Sequence, residues 1–95
     1  MRLNPEQQDF IRGKLLKIDP KAVIYLFGSR VDDMAKGGDI DILILSESLL
    51  ERKLIREFKI NFYKKFGWQK IDIVNFLTYE DHPFKNIALE NSIQL

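Results

Sequence analysis

Cysteine is absent from this 95-residue chain, which removes disulfide scaffolds, thiolate zinc sites and a cysteine nucleophile together. A surplus of charge is missing too. Lys and Arg number 15 against 14 Asp and Glu, so no broad field attracts nucleic acid or anionic membrane, and any nucleotide must be bound locally. Long apolar runs are also lacking. Residues 1–20 carry Arg2, Glu6, Asp9, Arg12, Lys14 and Lys17, nothing there suits a signal peptide, and no segment approaches transmembrane length. A cytoplasmic protein without membrane contact is expected. Repeats, linkers and low-complexity tracts are not seen, and the length suits one domain, residues 1–95, with a single core.

What is present reads as alternating helices and strands. Asn4-Pro5-Glu6-Gln7 supplies an N-cap, a proline at the first helical position and a reciprocal capping residue. The helix they open turns Phe10, Ile11, Leu15 and Ile18 inward and ends at Asp19-Pro20. Ala22–Phe27 is a continuous apolar run ending at Gly28, the pattern of a buried strand. Residues 29–38 suit a short helical turn followed by a glycine hinge, Gly37-Gly38, into a second strand from Asp39 to Leu45. Ser46-Glu47-Ser48 reads as the cap of a long helix from Leu49 to Phe66, with Leu50, Leu54, Ile55, Phe58, Phe62 and Phe66 at helical spacing. Gly67 stops it. A third strand follows over Gln69–Phe76 and a terminal helix over Phe84–Asn91. The expected fold is α+β: a small mixed sheet of three strands, or four, with helices mainly on one face. Trp68 and the phenylalanines of the long helix read as core, and His82, before Pro83, as structural or solvated.

Acidic residues break the second and third strands. Alternation puts Asp39, Asp41, Leu43 and Leu45 on one face with Ile40, Ile42 and Ile44 opposite, and puts Asp72, Val74 and Phe76 on one face of the third strand. A carboxylate taken out of water uncompensated is strongly unfavourable, so Asp41 between two isoleucines calls for a cation. For Asp39, Asp41 and Asp72 to meet, the starts of strands two and three must lie side by side, and the long helix between them is the connection that a parallel pair needs, so the topology permits the site. Strand one should run antiparallel to strand two, with Gly28-Ser29 at its exit beside the acids. Oxygen ligands of this kind suit Mg²⁺, and two ions held by three aspartates serve in-line displacement at a phosphate. Gly28 permits close approach of a phosphate to the backbone, Ser29 offers a hydroxyl and an N–H, and Arg30 or Lys36 can neutralise terminal phosphates.

Each piece has an ordinary counterpart: a turn aspartate at Asp39, a Lys70 pair for Asp72, a generic strand exit at Gly28-Ser29, an ion pair of Arg30 with Asp32 or Asp33. Their agreement in geometry favours the metal site. Together, Gly28-Ser29-Arg30, then Asp39-Ile40-Asp41 in an apolar strand, then Asp72 on a later strand, resemble the signature of the DNA polymerase β-type nucleotidyltransferase superfamily. Within it the chain is similar to the minimal nucleotidyltransferases encoded beside HEPN-domain partners. The spacer from Ser29 to Asp39 is short for that family, and Gly38 stands where serine is frequent. The resemblance implies that Gly28 and Ser29 hold a triphosphate, that Asp39 and Asp41 bind both Mg²⁺ ions, and that Asp72 is the third ligand and base. It further implies transfer of AMP from ATP to a hydroxyl of a helical HEPN toxin, with this chain as the antitoxin. A catalytically weak module that neutralises a helical partner by binding, and a nucleotidyltransferase acting on a small molecule, are the alternatives.

The helices read from the sequence suffice to cover one side of the sheet only. The face shared by Asp41, Leu43, Leu45, Val74 and Phe76 is therefore expected to be bare, and to be covered by a partner or by a second copy of the chain.

Overall fold

A computed structural model describes residues 3–28 and 39–95. Helix α1 spans Pro5–Ile18. Its capping box forms in both directions: Asn4 Oδ1 accepts the Gln7 N–H at 2.7 Å, and Gln7 Oε1 accepts the Asn4 N–H at 3.3 Å. Strands β1 (Val23–Phe27) and β2 (Ile40–Ser46) pair antiparallel, and helix α2 (Arg52–Phe66) returns the chain so that β3 (Ile71–Leu77) lies parallel to β2. Helix α3 (Pro83–Glu90) leads into β4 (Ile93–Gln94), which adds antiparallel to the free side of β1. The sheet order is β3-β2-β1-β4.

Strand parity divides the core as the sequence predicts. Ile24 and Leu26 of β1, Ile40, Ile42 and Ile44 of β2 and Ile71 of β3 are buried under α1 and α2, where they meet Ile11, Leu15, Phe58 and Phe62. Phe10 is the hinge of this layer, its ring edge-on to Phe62 at 5.8 Å and to Phe66 at 5.4 Å.

Three expectations are corrected. The long helix begins at Arg52, with Glu51 at the N-cap position and no side-chain cap. Ser46 therefore caps nothing: it ends β2 fully buried, and its hydroxyl donates to the Ser48 carbonyl at 2.7 Å. Asn75 fills the anchoring role instead. Its Oδ1 accepts the Leu50 N–H at 2.7 Å, and its Nδ2 donates to Ser46 Oγ at 3.0 Å and to the Ile44 carbonyl at 3.2 Å. This clamp ties the approach to α2 onto strands β2 and β3. Second, Trp68 is not core; it is 77% exposed against Tyr63. Third, the acid face is not bare. Ala88 and Leu89 of α3 pack there with Leu43, Leu45, Val23, Tyr25, Phe27, Val74 and Phe76. The reason is that α3, although short, is firmly held. His82 caps it, Nδ1 accepting the Phe84 N–H at 3.1 Å, and buried Lys85 donates from Nζ to the carbonyls of Leu77, Thr78 and Glu80 at 3.3, 2.9 and 2.6 Å. The fourth strand that the sequence left open is present as the two residues of β4, too few to show a period. The short turn expected over residues 29–38 lies outside the described residues.

Candidate functional site

Asp41 stands at the second position of β2, and its register partners are Phe27 of β1 and Asp72 of β3. Three neighbouring strand ends thus meet at one place. Asp39 lies just before β2, where the Ile40 N–H donates to the Lys70 carbonyl at 2.9 Å and zips the entries of the two parallel strands together. The alternation that buries Ile40 and Ile42 under the helices sends Asp41 to the α3 face.

Gly28 closes the site from β1. It has φ +75, a conformation that side chains disfavour, and a Cβ there would collide with Asp41 Oδ2 and lie 3.1 Å from its Cγ. Both the backbone and the neighbouring carboxylate require glycine. Ser29, Arg30 and Lys36, the other residues assigned to phosphate, lie outside the described residues.

The charges neighbour one another without closing on a point. Asp41 is pushed up from its ordinary 3.8, first by burial, then by the carboxylates of Asp72 and Asp39, with Lys70 pulling the other way. Lys70 Nζ is 3.8 Å from Asp39 Oδ2 and 3.9 Å from Asp72 Oδ2, all three side chains being about half exposed. The ordinary reading of Lys70 as a partner of Asp72 is therefore present, but incomplete: the ammonium spans two acids. Among the described residues no three His, Cys, Asp or Glu side chains are gathered as a finished metal-ligand set. The donor chemistry fits Mg²⁺ all the same. Three carboxylates share one face, ionised Asp41 is disfavoured by burial and by its two acidic neighbours, and a lysine lies between two of them.

Cavity size does not locate this chemistry. A hollow of about 540 Å³ is lined by Leu50, Arg52, Ile55, Arg56, Ile73 and Asn75 on the opposite face of the sheet. A smaller one, about 210 Å³, adjoins the acids through Gly28 and is lined further by Phe27, Phe84, Ile87, Ala88 and Asn91. Sequence reasoning missed it, along with the double reach of Lys70. A polar residue two before Asp72 at the strand entry was the only sequence signal for Lys70, and nothing local announced that α3 would cross to β1. No helix among the described residues is long and apolar enough to cross a membrane.

Residues 10–95 match a family model described as a nucleotidyltransferase domain. The fold is shared with the crystal structure of a toxin-antitoxin complex, MntA-HpeT, in a tyrosine-to-alanine mutant form: TM-score 0.72, 24% identity, covering 99% of this chain and 72% of that one. A toxin-antitoxin crystal structure with AMP-PNP matches with TM-score 0.71 and 22% identity over 92% of this chain and 70% of that one. An MntA-HpeT mutant with two aspartates changed to glutamate matches with TM-score 0.71 and 21% identity, covering 97% and 72%. A comparison with curated proteins finds no match.

Proposed function

Because the chain belongs to the nucleotidyltransferase domain family, we propose that it transfers AMP from ATP to a hydroxyl group on the face that carries Asp39, Asp41 and Asp72. The observation that carries this reading is the register of Asp41 against Asp72 with Gly28 packed on Asp41, three strand ends that a phosphate chain and its cations can reach together. Asp39 and Asp41 would hold two Mg²⁺ ions, with Asp72 as the third ligand. Bound Mg²⁺ supplies positive charge for the attacking and departing oxygens of an in-line displacement.

The chain's own groups do the rest. The backbone at Gly28, free of a Cβ, admits the triphosphate, and Ser29 and Arg30 are assigned to its oxygens. The acceptor oxygen forms its bond to the α-phosphorus, the bond from that phosphorus to the bridging oxygen breaks, and pyrophosphate leaves. The proton of the acceptor hydroxyl passes to the carboxylate of Asp72, half exposed at the mouth of the site. Lys70, beside both Asp39 and Asp72, limits the repulsion among the acids before a cation arrives.

For the acceptor, we infer a tyrosine hydroxyl on a helical toxin of the HEPN type, which makes this chain an antitoxin in the cytoplasm. The support is the shared fold with two toxin-antitoxin complexes, one of them holding AMP-PNP. The test is incubation with α-labelled ATP, Mg²⁺ and the product of the neighbouring gene. Label on that protein, lost in Asp41→Ala, is the expected result; labelling unchanged in the variant removes Asp41 from the mechanism.

The alternative reading, that the chain neutralises its partner by binding alone, makes a separate prediction. Neutralisation that survives Asp39→Ala with Asp41→Ala selects it.

A further inference from the structure

Among the described residues, the hollow beside Gly28 is lined by apolar groups and one polar side chain, that of Asn91. Phe27 and Phe84 meet edge to face, 6.0 Å between centroids at 82°, and Phe84 keeps 43% and Ile87 61% of their surface open. Asn91 lines the same hollow, and no described residue engages its side-chain amide. That sets it apart from Asn75, locked by Leu50 and Ser46, and from Asn86, which donates to Asp81 at 3.3 Å. The wall is also fixed in advance. His82 and the three carbonyls around Lys85 hold the first turn of α3, so Phe84 is presented by a braced element.

This surface begins where the phosphate site ends. Gly28 lines the hollow and also faces Asp41, so a ligand with phosphates at the acids would meet Phe84 and Ile87 next. Aromatic and aliphatic walls with a single amide are what a flat heteroaromatic ring needs: apolar contact over its faces and one paired donor and acceptor at its edge. An asparagine amide matches adenine in particular, donating to a ring nitrogen and accepting from the exocyclic amine.

We propose that the hollow formed by Phe27, Gly28, Phe84, Ile87 and Asn91 is the nucleobase subsite, and that Asn91 selects adenine. The inference rests on the nucleotide-transfer reading above and deepens it.

The test compares ATP with inorganic tripolyphosphate, which has the charges and no base. Both are titrated into the full chain with Mg²⁺ by calorimetry, for the wild type, Phe84→Ala and Ile87→Ala. The last variant truncates a largely exposed side chain, so the fold is preserved. The wild type is expected to bind ATP at least about tenfold more tightly than tripolyphosphate, and Phe84→Ala to lose about tenfold for ATP with no change for tripolyphosphate. Ile87→Ala should show the same selectivity at about threefold. Asn91→Asp, which deletes the donor, should erase preference for ATP over GTP. Unchanged ATP affinity in both truncations overturns the proposal, and so does an equal loss for the two ligands. Loss of labelling on the partner with ATP affinity intact overturns it in favour of a protein-docking site. Wild type that binds neither ligand overturns the transfer reading itself, a result distinct from failure of the base subsite alone.

Discussion

The two faces of one sheet are built from the same strands and have opposite character. On the α1/α2 face, Ile24, Leu26, Ile40, Ile42 and Ile44 are all essentially inaccessible and packed by aromatic residues of a long helix. On the α3 face, Leu43 is fully buried, but Val23, Tyr25, Phe27, Val74 and Phe76 are only partly covered and the acids sit at the strand ends. The lesson is a division of labour within a single β-strand. Ile40, Ile42 and Ile44 of β2 anchor the fold, and Asp41 between them carries charge that weakens it. The anchored side supplies rigidity for carboxylates that repel one another.

The sharpest way to break the comparison is at Asp41 and its neighbour Ile42. Asp41→Asn keeps shape and removes the charge, so nucleotide transfer should fall about 10³-fold, about 4 kcal/mol of barrier, with the circular dichroism spectrum unchanged. Activity within tenfold of wild type would show that the acid face does not hold the chemistry. Ile42→Ala should do the reverse. It opens a cavity beneath α1 and α2 and should lower unfolding free energy by about 3 kcal/mol in urea, against half of that or less for Val74→Ala on the looser face. Equal losses at the two sites would erase the distinction.

A smaller effect is expected where the approach to α2 is tied to the sheet. Asn75 sits on the helix-covered side of β3, and its removal leaves the Leu50 N–H and buried Ser46 short of partners. Asn75→Ala should destabilise by about 2 kcal/mol in denaturant titration, whereas a loss under about 0.5 kcal/mol would mean that water replaces the amide.

How much of this was legible depended on periodicity. The parity of β2 and β3, the antiparallel return of β1, the capping box at Asn4 and the meeting of Asp41 with Asp72 all follow from rules with a fixed period or a local hydrogen bond, and the structure has them. Contacts set by tertiary placement were not legible. The crossing of α3 to the acid face depends on Lys85 finding three carbonyls of the preceding turn, a fit that no spacing announces. The Ser46-Ser48 cap failed for a related reason: a distant Asn75 outcompeted a plausible local signal. Trp68 was misjudged because hydrophobicity alone does not say which side of a turn faces the core.

The smallest effect is also the most discriminating, because it asks whether the acid face is unstable for the reason given. Asp41 has its folded pKa raised above 3.8 by burial and by Asp72 and Asp39. A raised carboxyl favours the protonated form, so ionised Asp41 weakens the fold above its folded pKa, and the penalty fades as pH falls through that value and below 3.8, where folded and unfolded states are both protonated. Without divalent ions, Asp41→Asn should therefore be more stable than wild type at pH 7, by less than about 1 kcal/mol since the group is partly solvated, or roughly 2–5 °C in Tm. The gap should close toward pH 3. Addition of Mg²⁺ should then reverse the order, because an ion that binds only the native acids stabilises wild type by mass action and leaves the variant nearly unmoved. If Asp41→Asn proves less stable at pH 7 in chelator, the carboxylate is contributing to the fold, and the opposition between the two faces fails at its central residue.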